Sequence, residues 1–111
     1  MALHKKRRKR QLSGTARVED IALVWELISE PHKHPDYGYI GARISVNVAE
    51  AARRELIVEF PFPTDKHGDY LPVTPRQTFT QAEIDNAVRL AVDAGWDPGS
   101  RGKAYHFKVP D

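Results

Sequence analysis

The sequence has no cysteine among its 111 residues. Disulfide bonds and thiolate metal sites are therefore excluded, and the fold must be held together by packing and hydrogen bonds. The chain also lacks an apolar run near the roughly 18–20 residues that a membrane-spanning helix needs. Its basic N-terminal residues are not followed by the apolar stretch of a secretory signal. These absences favour one cytoplasmic domain with an ordinary hydrophobic core and no membrane partner.

The basic side chains are distributed unevenly along the chain. Six of the seventeen Lys and Arg residues lie within residues 5–10. The remaining eleven stand against fifteen acidic residues, so a formal net charge of +2 becomes about −4 without this run. Like charges in a row repel each other and have nothing apolar to bury, so we expect residues 1–14 to form a disordered basic arm. Residues 15–111 are then expected to form a single small domain.

Three segments predict β-strands in the first half of the domain. Residues 21–28 are almost wholly apolar and fit a strand or a helix; a strand is favoured because a helix would leave three large apolar side chains partly exposed. Residues 40–48 alternate between apolar and polar side chains, as expected for an antiparallel strand with one wet face. Residues 55–60 alternate in the same way, and Pro61 ends their pairing because it has no N–H to donate.

A single amphipathic helix is indicated after a long polar loop. Thr80 and Glu83 have the spacing of a capping box, and apolar residues then recur at intervals of three and four. Gly95 supplies the left-handed position that ends a helix, and Pro98 prevents its continuation. Residues 104–109 alternate again and predict a final strand. The expected fold is therefore α+β in the order β-β-β-α-β, an antiparallel sheet of about four strands with the helix packed on one face.

The basic run predicts a class of partner. It consists of Lys5, Lys6, Arg7, Arg8, Lys9 and Arg10. Each cation that neutralises a phosphate releases a counterion, so this run gives salt-dependent affinity that does not depend on base sequence. It contains no aromatic residue for stacking, so it would hold a backbone rather than read bases. We expect a non-catalytic interaction module that binds nucleic acid or another polyanion; the simplest alternative is a solvated tail that serves solubility.

A protein-partner domain of the immunity or antitoxin type is a second hypothesis. Such a domain would bind a basic partner through an acidic surface. The carboxylates available for this surface are Asp36, Glu55, Glu59, Asp65 and Asp69. A homodimer is a further expectation, because a strand over residues 21–28 would carry a second apolar side that needs a cover. That side consists of Ala22, Val24 and Ile28.

A metal-dependent hydrolase is a third hypothesis. His32, His34 and His67 lie in two loops and could face one divalent ion if those loops meet. Histidines in proline-rich loops are more often plain polar surface, and the paired cysteines and His-Glu-X-X-His pattern of common zinc sites are absent. Residues 99–103 do not form a phosphate loop, because they lead from a helix to a strand. No catalytic residue, metal ion or cofactor is therefore predicted.

Five aromatic residues divide into two groups. Trp25 and Trp96 lie among apolar residues and are expected in the core. Tyr37, Tyr39 and Tyr70 flank loops. Exposed tyrosine is as typical of a protein interface as of loop packing, so the sequence favours neither role for these three.

The C-terminal half of the chain contains a recognisable combination of short motifs. It includes Glu-Leu-Ile-Val-Glu-Phe at residues 55–60, Gly-Trp-Asp-Pro at residues 95–98 and Arg-Gly-Lys at residues 101–103. This half resembles small bacterial α+β proteins of unknown function in which a helix ends in Gly-Trp-(Asp/Asn)-Pro, followed by Gly-Lys and a short last strand. The resemblance covers about half the chain. It implies the fold order and a bacterial cytosolic setting, and it assigns no catalytic residue.

Overall fold

The computed structural model describes residues 12–51, 53–70 and 78–110. Their elements are β1 (Ser13–Val18), β2 (Ile21–Ser29), β3 (His32–His34), β4 (Gly38–Ile40), β5 (Arg43–Val48), β6 (Leu56–Glu59), α1 (Gln81–Ala94) and β7 (Tyr105–Lys108). Five strands form one sheet in the order β1-β2-β5-β6-β7, and β3 pairs with β4 in a separate hairpin. The predicted α+β class with one helix is confirmed.

The sheet is mixed rather than wholly antiparallel. The β1–β2, β2–β5 and β5–β6 pairs are antiparallel, whereas β6 and β7 are parallel. Parallel neighbours need a connection that returns the chain to the same end of the sheet, and the segment that contains α1 provides it. The prediction of about four antiparallel strands is therefore wrong in strand number and in the direction of the last strand.

Strand β1, which was not predicted, lies where the basic arm was expected to end. Ser13 pairs with Glu26, and the Leu27 N–H donates to the carbonyl oxygen of Leu12 at 2.7 Å. The predicted boundary at residue 14 therefore falls inside β1. Only Ala16 of this strand is buried, so the strand had almost no hydrophobic pattern and depends on its pairing with β2. Residues 1–11, which include the whole basic run, lie outside the described residues.

Strand β2 confirms the strand prediction for residues 21–28. Leu23 and Trp25 are buried on the side that faces the helix. Val24, on the other side, is 42% exposed in the single chain, and Ile28, at an irregularity in the pairing with β5, is 49% exposed. The apolar second side is thus present at the surface, and a homodimer through it stays a prediction.

The core lies between α1 and one face of the sheet. Buried helix residues on one stripe pack against buried residues of β2, β5 and β6. The helix contributes Ile84, Ala87, Val88 and Ala91, and the strands contribute Leu23, Trp25, Ile44, Val46, Leu56 and Val58. Fully burying one large aliphatic side chain stabilises the fold by about 1.5–3 kcal/mol. This helix–sheet layer is therefore the main source of stability.

Both predicted ends of the helix are confirmed. The Glu83 N–H donates to Thr80 Oγ1 at 3.1 Å, and the Glu83 carboxylate accepts from the Thr80 N–H, so the capping box is complete. At the other end Gly95 has φ 131°, and the next residue, Trp96, is 1% exposed. The indole N–H of Trp96 donates to the carbonyl oxygen of Arg54 at 3.0 Å. The end of the helix is thereby fastened to the segment that precedes β6.

The β3–β4 hairpin occupies residues that were expected to form a loop. It follows β2 and precedes β5, so the predicted continuous strand over residues 40–48 is interrupted at Gly41 and Ala42. A Cβ atom on Gly41 would lie 1.6 Å from the carbonyl oxygen of Phe60. Two backbones therefore approach so closely at this point that no side chain fits.

We expect Gly41→Ala to destabilise the protein by about 3 kcal/mol or more, because the added methyl group must displace backbone. Gly99→Ala is the matched control, since a Cβ there would meet its nearest neighbour, Asp97 Oδ1, at an ordinary 3.5 Å. Urea unfolding measures both free energies. Equal stability of the two variants would show that the Gly41–Phe60 contact does not constrain the fold.

The β1–β2 turn contains a strained residue. Val18 and Ile21 are the last pair of the ladder, and Glu19 in the two-residue turn between them has φ 52°. A residue with a side chain loses roughly 1–2 kcal/mol of stability in this left-handed region. Glycine avoids this strain, and its greater loss of backbone entropy on folding cancels only part of the gain.

We expect Glu19→Gly to raise the free energy of unfolding by about 0.5–1 kcal/mol. Asp20→Gly in the same turn is the control and should lower it by a similar amount, because Asp20 does not have a positive φ. Chemical denaturation checks both, and a loss of stability in Glu19→Gly would contradict the strain argument.

Candidate functional site

One end of the sheet brings together most of the residues that could bind a partner. Ser29, Arg43, Glu59 and Lys108 form a row across β2, β5, β6 and β7 in the strand register. The β3–β4 hairpin extends beyond this row, and residues 60–70 follow β6 at the same place. We call this region the hairpin end.

The basic run is connected to the hairpin end. Leu12, the first described residue, bonds to the backbone of Leu27 near the end of β2. The chain therefore enters the sheet at the same end as the row that contains Arg43 and Lys108. It enters on the β1 edge, whereas the groove described below lies beside β6 and β7.

Three aromatic side chains at the hairpin end form one cluster, Tyr39, Phe62 and Tyr70. The rings of Tyr39 and Tyr70 are stacked, with centroids 4.0 Å apart and an angle of 17° between their planes. Phe62 meets both rings edge-on, at 5.0 Å from Tyr39 and 5.5 Å from Tyr70. Tyr39 is 40% exposed and Tyr70 is 52% exposed. This aromatic cluster is thus a preformed surface feature.

A small closed loop fixes the position of Tyr70. Thr64 and Tyr70 form an antiparallel bridge, which brings the two ends of the loop together. Inside the loop, the Asp65 carboxylate accepts the backbone N–H groups of His67 and Asp69 at 2.8 and 3.0 Å. Short polar side chains favour such turns because they replace backbone partners. The stacked position of Tyr70 is therefore supported by backbone hydrogen bonds.

A groove of about 530 Å³ lies beside the aromatic cluster. Besides the three rings, it is lined by Gly41, Glu59, Pro61, Thr64, Gly68 and Lys108. Its volume is within the usual range for small-molecule sites, roughly 300–1,000 Å³. Gly68 has no side chain to fill it, and a Cβ there would meet no atom within 4 Å. The groove can therefore admit a flat group against the rings.

Cations outnumber carboxylates at the rim next to β6 and β7. Glu59 lies 3.6 Å from Arg43 Nε and 3.9 Å from Lys108 Nζ, so two cations share one carboxylate. Lys33 Nζ lies 5.5 Å from the centroid of the Tyr39 ring. Such exposed ion pairs contribute less than about 1 kcal/mol to stability. Asp65 and Asp69, in the loop that ends at Tyr70, offset the remaining cations, so the charges around the aromatic cluster nearly balance.

The predicted acidic surface is largely engaged within the chain. Glu55 accepts a hydrogen bond from the hydroxyl of Ser45, a buried residue on the sheet face opposite the helix. Glu59 is shared by two cations, and Asp65 closes its own loop. Three of the five predicted carboxylates therefore already have partners in the described chain. This arrangement does not favour a free acidic face for a basic protein.

The loop histidines have local roles. His32 Nδ1 lies 2.9 Å from the carbonyl oxygen of Glu30. His34 Nδ1 accepts the N–H groups of Asp36 and Tyr37 at 3.0 and 3.3 Å, which closes the β3–β4 turn. Within the described ranges, no group of three or more His, Cys, Asp or Glu side chains could hold a metal ion. The predicted hydrolase therefore gains no support from this part of the chain.

Comparisons with known proteins add no relative. A scan against models of known families finds no match, and searches of curated proteins and of solved structures find none either. The resemblance to small bacterial proteins therefore stays a prediction. Among the described residues, the structure holds no helix long and apolar enough to cross a membrane.

The sequence pointed to part of this site. The sequence places Tyr39 and Tyr70 beside loops and leaves open whether they pack there or form an interface, and the structure brings them into direct contact. Phe62, Lys33 and Lys108 were not singled out, because they are far from one another in sequence. The only local indication of an exposed ring was the position of Phe62 between two prolines. Proline has no N–H to donate to a β-ladder, so this segment is expected to lie extended at the surface.

We expect equimolar Zn²⁺ or Mn²⁺ to leave the melting temperature unchanged, because a metal that binds only the folded state would raise it. Scanning calorimetry with and without a chelator provides the measurement. A rise that the chelator reverses would restore the histidine hypothesis.

Proposed function

We propose that this protein is a small non-catalytic interaction module that binds nucleic acid or another polyanion through its basic run. The observation that carries this proposal is the separation of charge: six cations stand within residues 5–10, while the rest of the chain is acidic by about four charges. An acidic body repels a polyanion in general, so attraction is concentrated where the cations are.

The connection of the basic run to the hairpin end supports this proposal. Leu12 lies at the β1 edge, and β7 is four strand spacings away, or about 19 Å. Lys5 precedes Leu12 by seven residues, which span at most about 23 Å when extended. The basic run is therefore long enough to follow a polyanion across the hairpin end toward Arg43 and Lys108.

The surroundings of the buried serine support a non-catalytic role. The Ser45 hydroxyl donates to the Glu55 carboxylate and accepts from Asn47 Nδ2 at 3.1 Å. A serine nucleophile needs an adjacent general base, in most enzymes an imidazole. Ser45 instead acts as a bridge between two polar side chains on the sheet face.

A protein partner is the second candidate function, and the exposed side of β2 favours it. Val24 lies on the sheet face that the helix does not cover, Ile28 lies at an irregularity in the pairing of β2 with β5, and both are more than two-fifths exposed. Apolar side chains grouped on an uncovered face are typical of association surfaces. Light scattering of the purified chain, followed by co-purification with neighbouring gene products, would distinguish a homodimer from a complex with another protein.

Deletion of residues 1–10 tests the proposed function. The full chain should bind a single-stranded oligonucleotide with an affinity that falls steeply with salt. Removal of six cations should reduce the slope of log K against log salt by up to about 4 and abolish measurable binding near physiological salt. The melting temperature should change little, because a run of like charges has nothing apolar to bury in the core.

The matched control is a full-length variant in which Lys5, Lys6, Arg7, Arg8, Lys9 and Arg10 are all replaced by Gln. It keeps the length of the chain and removes only the charge, so it should behave like the deletion. Fluorescence anisotropy over a salt series measures all three proteins. If the truncated domain binds as tightly as the full chain, the basic run has no part in binding.

A further inference from the structure

One ring in the aromatic cluster has an unoccupied face. Tyr39 has Tyr70 against one face at 4.0 Å, so the Lys33 ammonium, 5.5 Å from its centroid, lies on the other side. Phe62 lies nearer to Tyr39, at 5.0 Å, than to Tyr70, at 5.5 Å, so it sits beside the stack rather than on the outer face of Tyr70. No other described aromatic ring packs on Tyr70, which is 52% exposed. Within the described part of the chain, the stack therefore ends at the outer face of Tyr70.

An open tyrosine face beside a groove can take a particular kind of ligand. A nucleobase is flat and aromatic, and every base can stack on a tyrosine, so this contact does not depend on the sequence of the nucleic acid. The groove beside the ring has room for a flat group, and Gly68 places no side chain in it. Lys108, on the same groove, is 71% exposed and can meet a phosphate.

We propose that the outer face of Tyr70 is a stacking site for one nucleobase of a single-stranded nucleic acid. This inference rests on the proposed function, since the basic run supplies the attraction to phosphate that the nearly balanced groove does not. The combination of an aromatic platform with separate backbone cations is typical of single-strand binding. A duplex keeps its bases stacked inside the helix, so it could use the basic run but not Tyr70.

The closing experiment separates stacking from charge. The probe is a fluorescein-labelled oligothymidylate of about 12 nucleotides, a length typical of single-strand sites. An abasic oligonucleotide of the same length carries the same phosphates without bases. Tyr70→Leu removes the stacking surface, Tyr70→Phe keeps it, and Tyr37→Leu is the matched control. Tyr37 is a more exposed tyrosine, at 79%, and packs on His34 outside the aromatic cluster.

We expect Tyr70→Leu to weaken binding of oligothymidylate by about fivefold to a hundredfold, with an unchanged salt slope. Binding of the abasic probe should stay the same in every tyrosine variant. Tyr70→Phe and Tyr37→Leu should bind both probes like the unmodified chain. Melting temperatures of all variants show whether Tyr70→Leu keeps the fold. If it does not, two other results carry the same inference: Tyr70→Phe binds with full affinity, and oligothymidylate is preferred over the abasic probe.

Failure of this inference and failure of the proposed function give different results. If Tyr70→Leu is folded and binds oligothymidylate normally, or if the abasic probe binds as well as oligothymidylate, the stacking site is overturned while the basic run keeps its role. If deletion of residues 1–10 has no effect but Tyr70→Leu still loses affinity, the proposed role of the basic run is overturned and the stacking site stands. If neither probe binds the unmodified chain, both are overturned.

Discussion

A single helix can cover only one face of a five-stranded sheet, and the rest of the structure depends on this limit. On the covered face the apolar stripe of α1 packs against β2, β5 and β6 and builds the only core cluster found in the described residues. On the other face the chain must satisfy polar groups without a covering layer. The bridge from Ser45 to Glu55 and Asn47 shows one way in which it does so.

The stable layer leaves the hairpin end free to carry a different kind of surface. Residues there contribute little to the main core, yet they are held in place by backbone contacts such as the approach of Gly41 to Phe60. The aromatic cluster therefore has a defined arrangement although Tyr39 and Tyr70 are exposed. In the proposed function, charge and shape are divided between two parts of one molecule: the basic run supplies long-range attraction to a polyanion, and the aromatic cluster supplies a flat surface.

Local chemistry made some elements predictable and left others hidden. The helix was readable because Thr80, Glu83 and Gly95 form caps whose chemistry lies within a few residues. Strand β1 was missed because only Ala16 is buried there, and its neighbour rather than its own pattern makes it a strand. The direction of β7 and the meeting of Tyr39 with Tyr70 are set by tertiary contacts, which alternation of side chains does not encode.

The parallel pairing of β6 with β7 has a consequence for how the chain folds. Leu56 pairs with Tyr105, which lies beyond the helix in the sequence. Contacts this distant in sequence form slowly, because a long loop has to close before they are gained. During synthesis β6 therefore has an unpaired edge until the segment that contains β7 has been made, and Pro61 at its end limits how far a foreign strand could extend along that edge.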